Sequence, residues 1–573
     1  MVLLIRAVRN TLLYIFCFSF CFFSFCGRCP QTNDLLRCML FFLIIGVFLK
    51  IFSEIYSKLH TFRKISIQNY IIFSEISFFS CTFRKLFVSL QRFLTKTTQI
   101  MLIGREKQQQ ALLELLESDE SQFCAIYGRR RVGKTYLVKQ TFGGKFAFVH
   151  TGLAKATKAE QLWEFRESLR SAGVKKCKLP KTWFEAFHML QDYLTSLPEG
   201  KKIVFIDELP WLDTPKSRFL TAFEHFWNGW ANLRDDIVLI VCGSATSWII
   251  GNIVHNKGGL HNRLTRQIHL RPFNLKECEL YAQKRSLEMM HRDILETYMV
   301  LGGVPYYWSL LRPEWSWAQN IDNLFFDDTA ELRDEFKALY ASLFRAPQPY
   351  IEIITALGTK KVGMTFDELD KALAINLGGK LAEKLEELEQ CNFIRSYTAL
   401  GKVKKDTRYQ LIDNFTLFHF KFIAEASKGS RTRWTTMIGT PEYRAWSGLA
   451  FERVCLLHED QILKALGISG MECGIYSWTY RPQNDKEKGT QIDLLIDRSD
   501  NVINLCEMKF YSDPYAMTKA DDEDVRDKKT IFQNVTQTRK AVRIVMVTSY
   551  GLVRNAYAKG IPNQLTMDDL FQE

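Results

Sequence analysis

Phe123-Cys-Ala-Ile-Tyr-Gly-Arg-Arg-Arg-Val-Gly-Lys-Thr135 decides the fold class of this chain. Its first five residues are apolar or aromatic and read as a short buried strand. From Gly128 to Thr135 the spacing is G-x-x-x-x-G-K-[ST], and Tyr136–Gln140 continues as a helical stretch. Strand before and helix after is the context this motif requires. Gly128 and Gly133 permit a tight turn in which the backbone N–H groups of Arg129, Arg130, Arg131 and Val132 surround phosphate oxygens. The helix N-terminus adds the positive end of its dipole. Lys134 is placed to reach β- and γ-phosphates and the Thr135 hydroxyl to ligate Mg²⁺, so ATP with Mg²⁺ is the expected ligand.

Two further strands supply what a triphosphate site needs. Lys202-Ile-Val-Phe-Ile-Asp-Glu208 is an apolar strand ending in two carboxylates. Asp207 is expected to hold the magnesium water shell and Glu208 to orient and deprotonate an attacking water. Ile237-Val-Leu-Ile-Val-Cys242 runs into Gly243-Ser244-Ala-Thr246, where Ser244, or less directly Thr246, could sense a γ-phosphate. Arg263 and Arg266 are candidates for an arginine finger, or else surface arginines remote from phosphate. Ahead of the first strand, Leu112, Leu113, Leu115 and Leu116 alternate with charged residues in an amphipathic helix.

Together Ile103-Gly-Arg-Glu-Lys107, the phosphate-loop stretch, Val204-Phe-Ile-Asp-Glu-Leu-Pro-Trp-Leu212, Cys242-Gly-Ser-Ala-Thr-Ser-Trp248 and Gly302-Gly-Val-Pro-Tyr-Tyr-Trp308 resemble a prokaryotic ATPase family of the AAA+/STAND group. Its members are abundant in archaea and often end in the small domain of unknown function 234. The resemblance starts at about Met101 and runs to the C-terminus. It implies an α/β fold with a parallel P-loop sheet (101–271), a helical lid (272–345), a winged helix-turn-helix (346–425) and a C-terminal α/β domain like restriction endonucleases (426–573). It also implies ATP binding with hydrolysis.

The residues beyond the third strand fit those expectations. Leu275–Arg285 and Asp293–Leu301 read as helices. Thr365 precedes a helix with Glu368 three residues on, a capping-box spacing. Lys380–Gln390 places Leu381, Leu385 and Leu388 on one face. Phe393–Tyr397, a basic turn at Gly401–Lys405 and Arg408–Ile412 then read as a two-stranded wing. Lys402, Lys404, Lys405 and Arg408 suit phosphate backbone, whereas Glu383, Glu386, Glu387 and Glu389 on the would-be recognition helix oppose groove insertion.

In the last domain Gln491–Ile496 alternates into a strand, and Val502–Phe510 returns with Glu507-Met-Lys509. A three-residue loop at Ser499–Asn501 sets Asp493 opposite Glu507, with Lys509 on the same face. Asp493, Glu507, Lys509 and a helix-borne Glu452 resemble the PD-(D/E)xK nuclease core, in which Glu452, Asp493 and Glu507 would hold a divalent metal and Lys509 would help activate water. The bland alternative is an ordinary hairpin with a salt-bridged acid and lysine. Whether such a domain cuts nucleic acid is a separate question, because folds outlast activities.

Charge and cysteine content set the first hundred residues apart. They carry 12 Lys/Arg against 3 Asp/Glu, which is +9 of the net +13, so the remaining chain has no strong global field. Neither Leu12–Cys26 nor Met39–Leu49 reaches the ~20 apolar residues of a spanning helix. The segment Phe52-Ser-Glu-Ile55 recurs as Phe73-Ser-Glu-Ile76, and two copies cannot bury a core. Residues 1–100 are therefore expected to be an extraneous or disordered extension, with a membrane anchor as the alternative. Scattered cysteines point to a reducing, cytoplasmic setting. The expected role is a nucleotide-driven ATPase switch coupled to a nuclease-like effector. The alternative is a nucleic-acid-binding regulator that cuts nothing. DNA or RNA and further copies of the chain (a homo-oligomer) are the partners left open beside ATP; a membrane is not expected.

Overall fold

Alternate residues of β1 (Gln122–Tyr127) belong to different cores, and that period of two organises the N-terminal half. Phe123 and Ala125 pack on one side and Cys124 and Ile126 on the other, all fully buried. The computed structural model describes residues 102–572 except 257, 328, 345, 374–378, 402–405, 425–432, 481 and 483–488. The expectations for residues 1–100 and for the basic turn at 402–405 lie outside the described residues.

Helices of seven or more residues are numbered. The order is α1 (Glu106–Glu117), β1, α2 (Lys134–Phe142), β2 (Phe148–Thr151), α3 (Lys158–Ser171), α4 (Trp183–Ser196), β3 (Lys202–Asp207), α5 (Phe219–Gly229), β4 (Ile237–Gly243) and β5 (Arg266–His269). The five strands form one parallel sheet in the order β2-β3-β4-β1-β5. α1 and α2 cover the face of Cys124, Ile126 and Phe205, while α3, α4 and α5 cover that of Phe123, Val204 and Val241. A parallel sheet buried on both faces needs uninterrupted apolar strands, which is why β3 and β4 read as continuous runs.

The chain then passes through α6 (Leu275–Lys284), α7 (His291–Leu301), α8 (Glu335–Leu343), α9 (Gln348–Gly358), β6 (Met364–Thr365), α10 (Phe366–Ala372), α11 (Lys380–Gln390), β7 (Ile394–Tyr397) and β8 (Arg408–Leu411). Thr365 caps α10 in a capping box with Glu368, as its spacing predicts. Leu381, Leu385 and Leu388 bury the inner stripe of α11. The small antiparallel sheet is β6-β8-β7, and β6 is a strand that the sequence does not announce. Two residues are too short for any periodicity to register.

The last segment holds α12 (Pro441–Leu457), α13 (Glu459–Ala465), β9 (Cys473–Tyr480), β10 (Thr490–Arg498), β11 (Val502–Lys509), α14 (Lys519–Thr536), β12 (Ala541–Thr548) and β13 (Asn563–Thr566). Its sheet runs β13-β12-β11-β10-β9, with β9, β10 and β11 antiparallel and β11, β12 and β13 parallel. The β10–β11 loop is Ser499–Asn501, and Asn501 takes the left-handed conformation at φ 64° that closes a three-residue hairpin. One apolar core is continuous from Phe273 to Phe571, so the expected lid, wing and C-terminal regions share an interior. Among the described residues no helix is long and apolar enough to cross a membrane.

Candidate functional site

β1 delivers the chain into the phosphate-loop motif through Gly128, whose φ is +146°. A Cβ there would lie 2.2 Å from the Leu270 carbonyl oxygen, so only glycine allows the turn. Gly133, at φ 92°, is the residue before α2, and nothing lies within 4 Å of where its Cβ would be. The cradle is open on that side. Lys134 begins α2 and is buried, its ammonium donating to the carbonyls of Gly128 (2.8 Å) and Arg129 (3.0 Å). Burial lowers its pKa, while Glu208, Cys242 and Asp207 pull the other way.

β3 brings its terminal acids to this loop. The Thr135 hydroxyl donates to Asp207 Oδ2 at 2.7 Å, and the other carboxylate oxygen accepts from the Glu208 N–H (2.9 Å) and the Cys242 thiol (2.6 Å). Glu208 itself takes a left-handed backbone, φ 50° and ψ 43°. That conformation is uncommon for a residue with a Cβ and marks a position fixed by its surroundings. Its carboxylate is bound by Ser244 at the tip of β4, through the hydroxyl and through the backbone N–H at 3.1 Å. Oxygen donors at Thr135 and Asp207, beside an open glycine cradle and a buried ammonium, are of the type a magnesium triphosphate uses.

The side chains of the loop engage other parts of the structure. Arg129 is 1 % exposed, and its guanidinium pairs with Asp413 just after β8 and lies 4.7 Å from the centre of the Phe393 ring. Burial opposes its charge, but Asp413 more than compensates and raises its pKa. Arg131 pairs with Glu335 at 2.8 Å and covers the Tyr306 ring. Val132 packs into the core beside Leu137, and Arg130 is half-buried. The loop thus sends the side chains of Arg129 and Arg131 toward the small sheet and the helical region. Thr246 is fully buried, which leaves Ser244 as the polar group at the strand tip.

Arg263 and Arg266 are not brought to this loop. Thr265 N–H bonds the Phe123 carbonyl and Arg266 stands opposite Cys124, because β5 is parallel to β1 and starts at the same end. The phosphate loop leaves from the other end of β1. Arg266 pairs with Glu114 at 2.9 Å on the surface, and Arg263 is exposed. Strand direction, which a single sequence does not display, sets this separation.

A second cluster forms at the β10–β11 hairpin. The ladder's last pair is Leu494 with Cys506, which leaves Asp493 and Glu507 next in line. A cleft of about 340 Å³ is lined by Lys361, Glu452, Gln491, Asp493, Glu507 and Lys509. Lys509 reaches Glu507 at 3.0 Å, as their i, i+2 spacing implies. Lys528 of α14 also binds Glu507, at 2.8 Å. Glu452 and Asp493 share the Lys361 ammonium, at 2.7 and 3.3 Å. Sequence reasoning missed Lys361 and Lys528, which come from segments 91 or more residues from Glu452 and 21 from Glu507 in the chain. Among the described residues no three His, Cys, Asp or Glu side chains converge as a metal-binding group. The reason lies in the layers: α12 packs on the β11 face of Cys506 and Met508, whereas Glu507 points to the side of Lys528 on α14. Lys361 stands between Glu452 and Asp493, while Lys509 and Lys528 hold Glu507.

Fold and loop together define the class of a phosphate-loop ATPase domain. Residues 102–311 match a family model described as an ATPase domain predominantly from Archaea. Over 450 residues the chain is 25% identical to an uncharacterised protein of Methanocaldococcus jannaschii, covering 77% of this chain and 92% of that protein. Solved structures similar to it include the Walker-type ATPase PABY2304 of Pyrococcus abyssi, at 18% identity and TM-score 0.42, covering 55% of this chain and 95% of that one. Another is the ORC2 protein of Aeropyrum pernix in ADPNP–ADP complexes, at 15% identity and TM-score 0.35, covering 56% and 93%.

Proposed function

We propose that this protein is an AAA+-type switch that binds and hydrolyses Mg²⁺-ATP, and that its nucleotide state is transmitted to the C-terminal domain. The observation that carries this reading is the contact of Thr135 with Asp207 beside the open cradle of Gly133 and the buried Lys134. The strand order β5-β1-β4-β3-β2 supports the AAA+ assignment. Backbone N–H groups of Arg129–Gly133 would bind the phosphates, and Thr135 and Asp207 would hold the magnesium. Magnesium, when bound, neutralises phosphate oxygens that gain charge as the γ-phosphoryl group leaves. Lys134 exchanges its two carbonyl partners for phosphate oxygens. Glu208 orients water and takes its proton, and Ser244 sets where its carboxylate points.

Transmission is read from the phosphate loop's own side chains. Arg129 and Arg131 tie the loop to Asp413 and Glu335, and α11 packs beside the one-turn helix Thr246–Ile249 that follows Ser244. A winged-helix reading of α10, α11, β7 and β8 therefore favours an internal arm over a DNA reader. Lys134→Ala should abolish ATP binding. Glu208→Gln should bind ATP and lose at least 100-fold in turnover, within the usual range for a lost general base. Unchanged ATP affinity in Lys134→Ala would remove the assignment.

A second reading is favoured by one arrangement: Glu452, Asp493, Glu507 and Lys509 line a single cleft. Their carboxylates are the hard oxygen donors a divalent cation takes, which supports a nuclease-like effector of the PD-(D/E)xK type. A cation held there would polarise a phosphodiester. Metal-dependent cutting of DNA or RNA that disappears in Asp493→Ala, with ATPase intact, is the expected result. Retention of nucleic acid without cutting in any metal would leave a regulator instead.

A further inference from the structure

Lys361, whose side chain is 38% exposed, is held by more than its own ion pairs. It sits in the five-residue turn between α9 and β6, and that turn is fixed at three points. Its own carbonyl accepts from Gln410 Nε2 of β8 at 2.7 Å. The Val362 carbonyl accepts from the Tyr397 hydroxyl of β7 at 2.6 Å, and the Gly363 carbonyl from Arg408 of β8 at 3.1 Å. Gly363, at φ +69°, crosses so close to β8 that a Cβ would lie 2.2 Å from the Tyr409 carbonyl oxygen. The backbone under Lys361 is thus set by the small sheet. A lysine held this way starts from a fixed Cα, so the ion pair costs only the ordering of its side chain.

The side chain crosses from that sheet to the cleft of the C-terminal domain. Its ammonium lies 2.7 Å from Glu452 and 3.3 Å from Asp493, and so takes the place a shared cation would need. Burial raises the Glu452 carboxyl, Asp493 adds to that, and Lys361 offsets part of it. Burial alone would lower Lys361, yet Asp493 and Glu452 carry it above its ordinary value. Two carboxylates in one partly buried cleft repel unless a positive charge stands between them. Here the protein supplies that charge from its own chain.

We propose that Lys361 is an internal counter-ion that closes the Glu452–Asp493 cleft to divalent cations, so that metal enters only when this lysine withdraws. The proposal rests on the nuclease-like reading of the cleft. β8, which helps fix the turn, leads two residues on to Asp413, the partner of Arg129 in the phosphate loop, so plug and loop are anchored on adjoining stretches of chain.

The test is Mn²⁺ binding, followed by the electron paramagnetic resonance of free Mn²⁺, to the nucleotide-free full chain. Lys361→Met, which keeps the alkyl stem, and Lys361→Gln should each bind Mn²⁺ at least tenfold more tightly than the natural protein. Lys361→Arg should behave like the natural protein, since it retains the charge. Adding Asp493→Asn to Lys361→Met should erase the gain, which locates the ion in the cleft. Circular dichroism melting of each variant separates loss of fold from loss of the plug. Equal, measurable affinity in the natural protein and in Lys361→Met would overturn the proposal and leave the cleft a metal site. Absence of Mn²⁺ binding in every variant would overturn the proposal and the nuclease-like reading together. A gain that survives Asp493→Asn would also overturn it.

Discussion

Replacing Asp413 by Asn isolates the charge that joins the phosphate loop to the small sheet. Asp413 is 6% and Arg129 2% exposed at the side chain, so neither charge is solvated in the folded protein. The carboxylate also caps the following turn, accepting from the Thr416 N–H at 3.0 Å and from its hydroxyl at 2.6 Å. Asn is as good an N-cap as Asp, so this substitution leaves the cap and removes the ion pair. Arg129 then remains buried with its charge uncompensated, and its Nε and Nη2 already have no hydrogen-bond partner. Removing one member of a buried pair costs about 3–5 kcal/mol. At ~1.4 kcal/mol per tenfold, the locally opened state should become at least 100-fold more populated. Hydrogen exchange of the backbone amides of 411–418 reads this directly, without assuming that so large a chain unfolds in one step. Adding Arg129→Met should restore most of the protection, because an apolar side chain of similar length leaves no orphan charge. Unchanged exchange in Asp413→Asn, or a double variant as unprotected as the sum of both singles, would refute the reasoning.

Gly128→Ala should fold poorly at the loop and lose ATP binding, since the added methyl meets the Leu270 carbonyl at 2.2 Å; equilibrium nucleotide titration checks it. His458 is fully buried, its Nε2 accepts from the Leu275 N–H, and burial lowers its pKa from 6.5 to about 4. The unfolded chain therefore binds this proton first as pH falls: the histidine's contribution, about 3 kcal/mol, is complete above pH 6.5 and is lost toward pH 4. His458→Gln should flatten that part of the pH dependence of the opening free energy read from hydrogen exchange of the backbone amides of 454–465. Asn501→Val should destabilise the β10–β11 hairpin by about 1–2 kcal/mol, because φ 64° is strained for a β-branched residue; exchange protection of β10 and β11 reports it.

Much of this was legible in the chain because it depends on neighbours in sequence. Strand, glycine turn and helix around Gly128–Thr135 follow from local chemistry, and so do the cap at Thr365, the stripe on α11 and the loop at Ser499–Asn501. Apolar runs ending in polar tips identified β3 and β4, and the parallel pairing of β4 with β1 and of β3 with β4 brings Asp207 to Thr135. The i, i+2 rule alone placed Lys509 beside Glu507.

What only the tertiary structure decided concerns pairs separated by long stretches of chain. Strand direction took Arg263 and Arg266 to the far end of the sheet from the phosphate loop. A buried ion pair between Arg129 and Asp413 made a strut of the side chain of a loop arginine whose expected phosphate contact runs through its backbone N–H. Lys361 and Lys528 entered the acidic cleft from a turn and a helix with no motif of their own. Local sequence sets which backbone shapes and charges exist, because those terms act over a few residues. Which opposite charges meet is set by how layers stack, and that depends on the whole core at once.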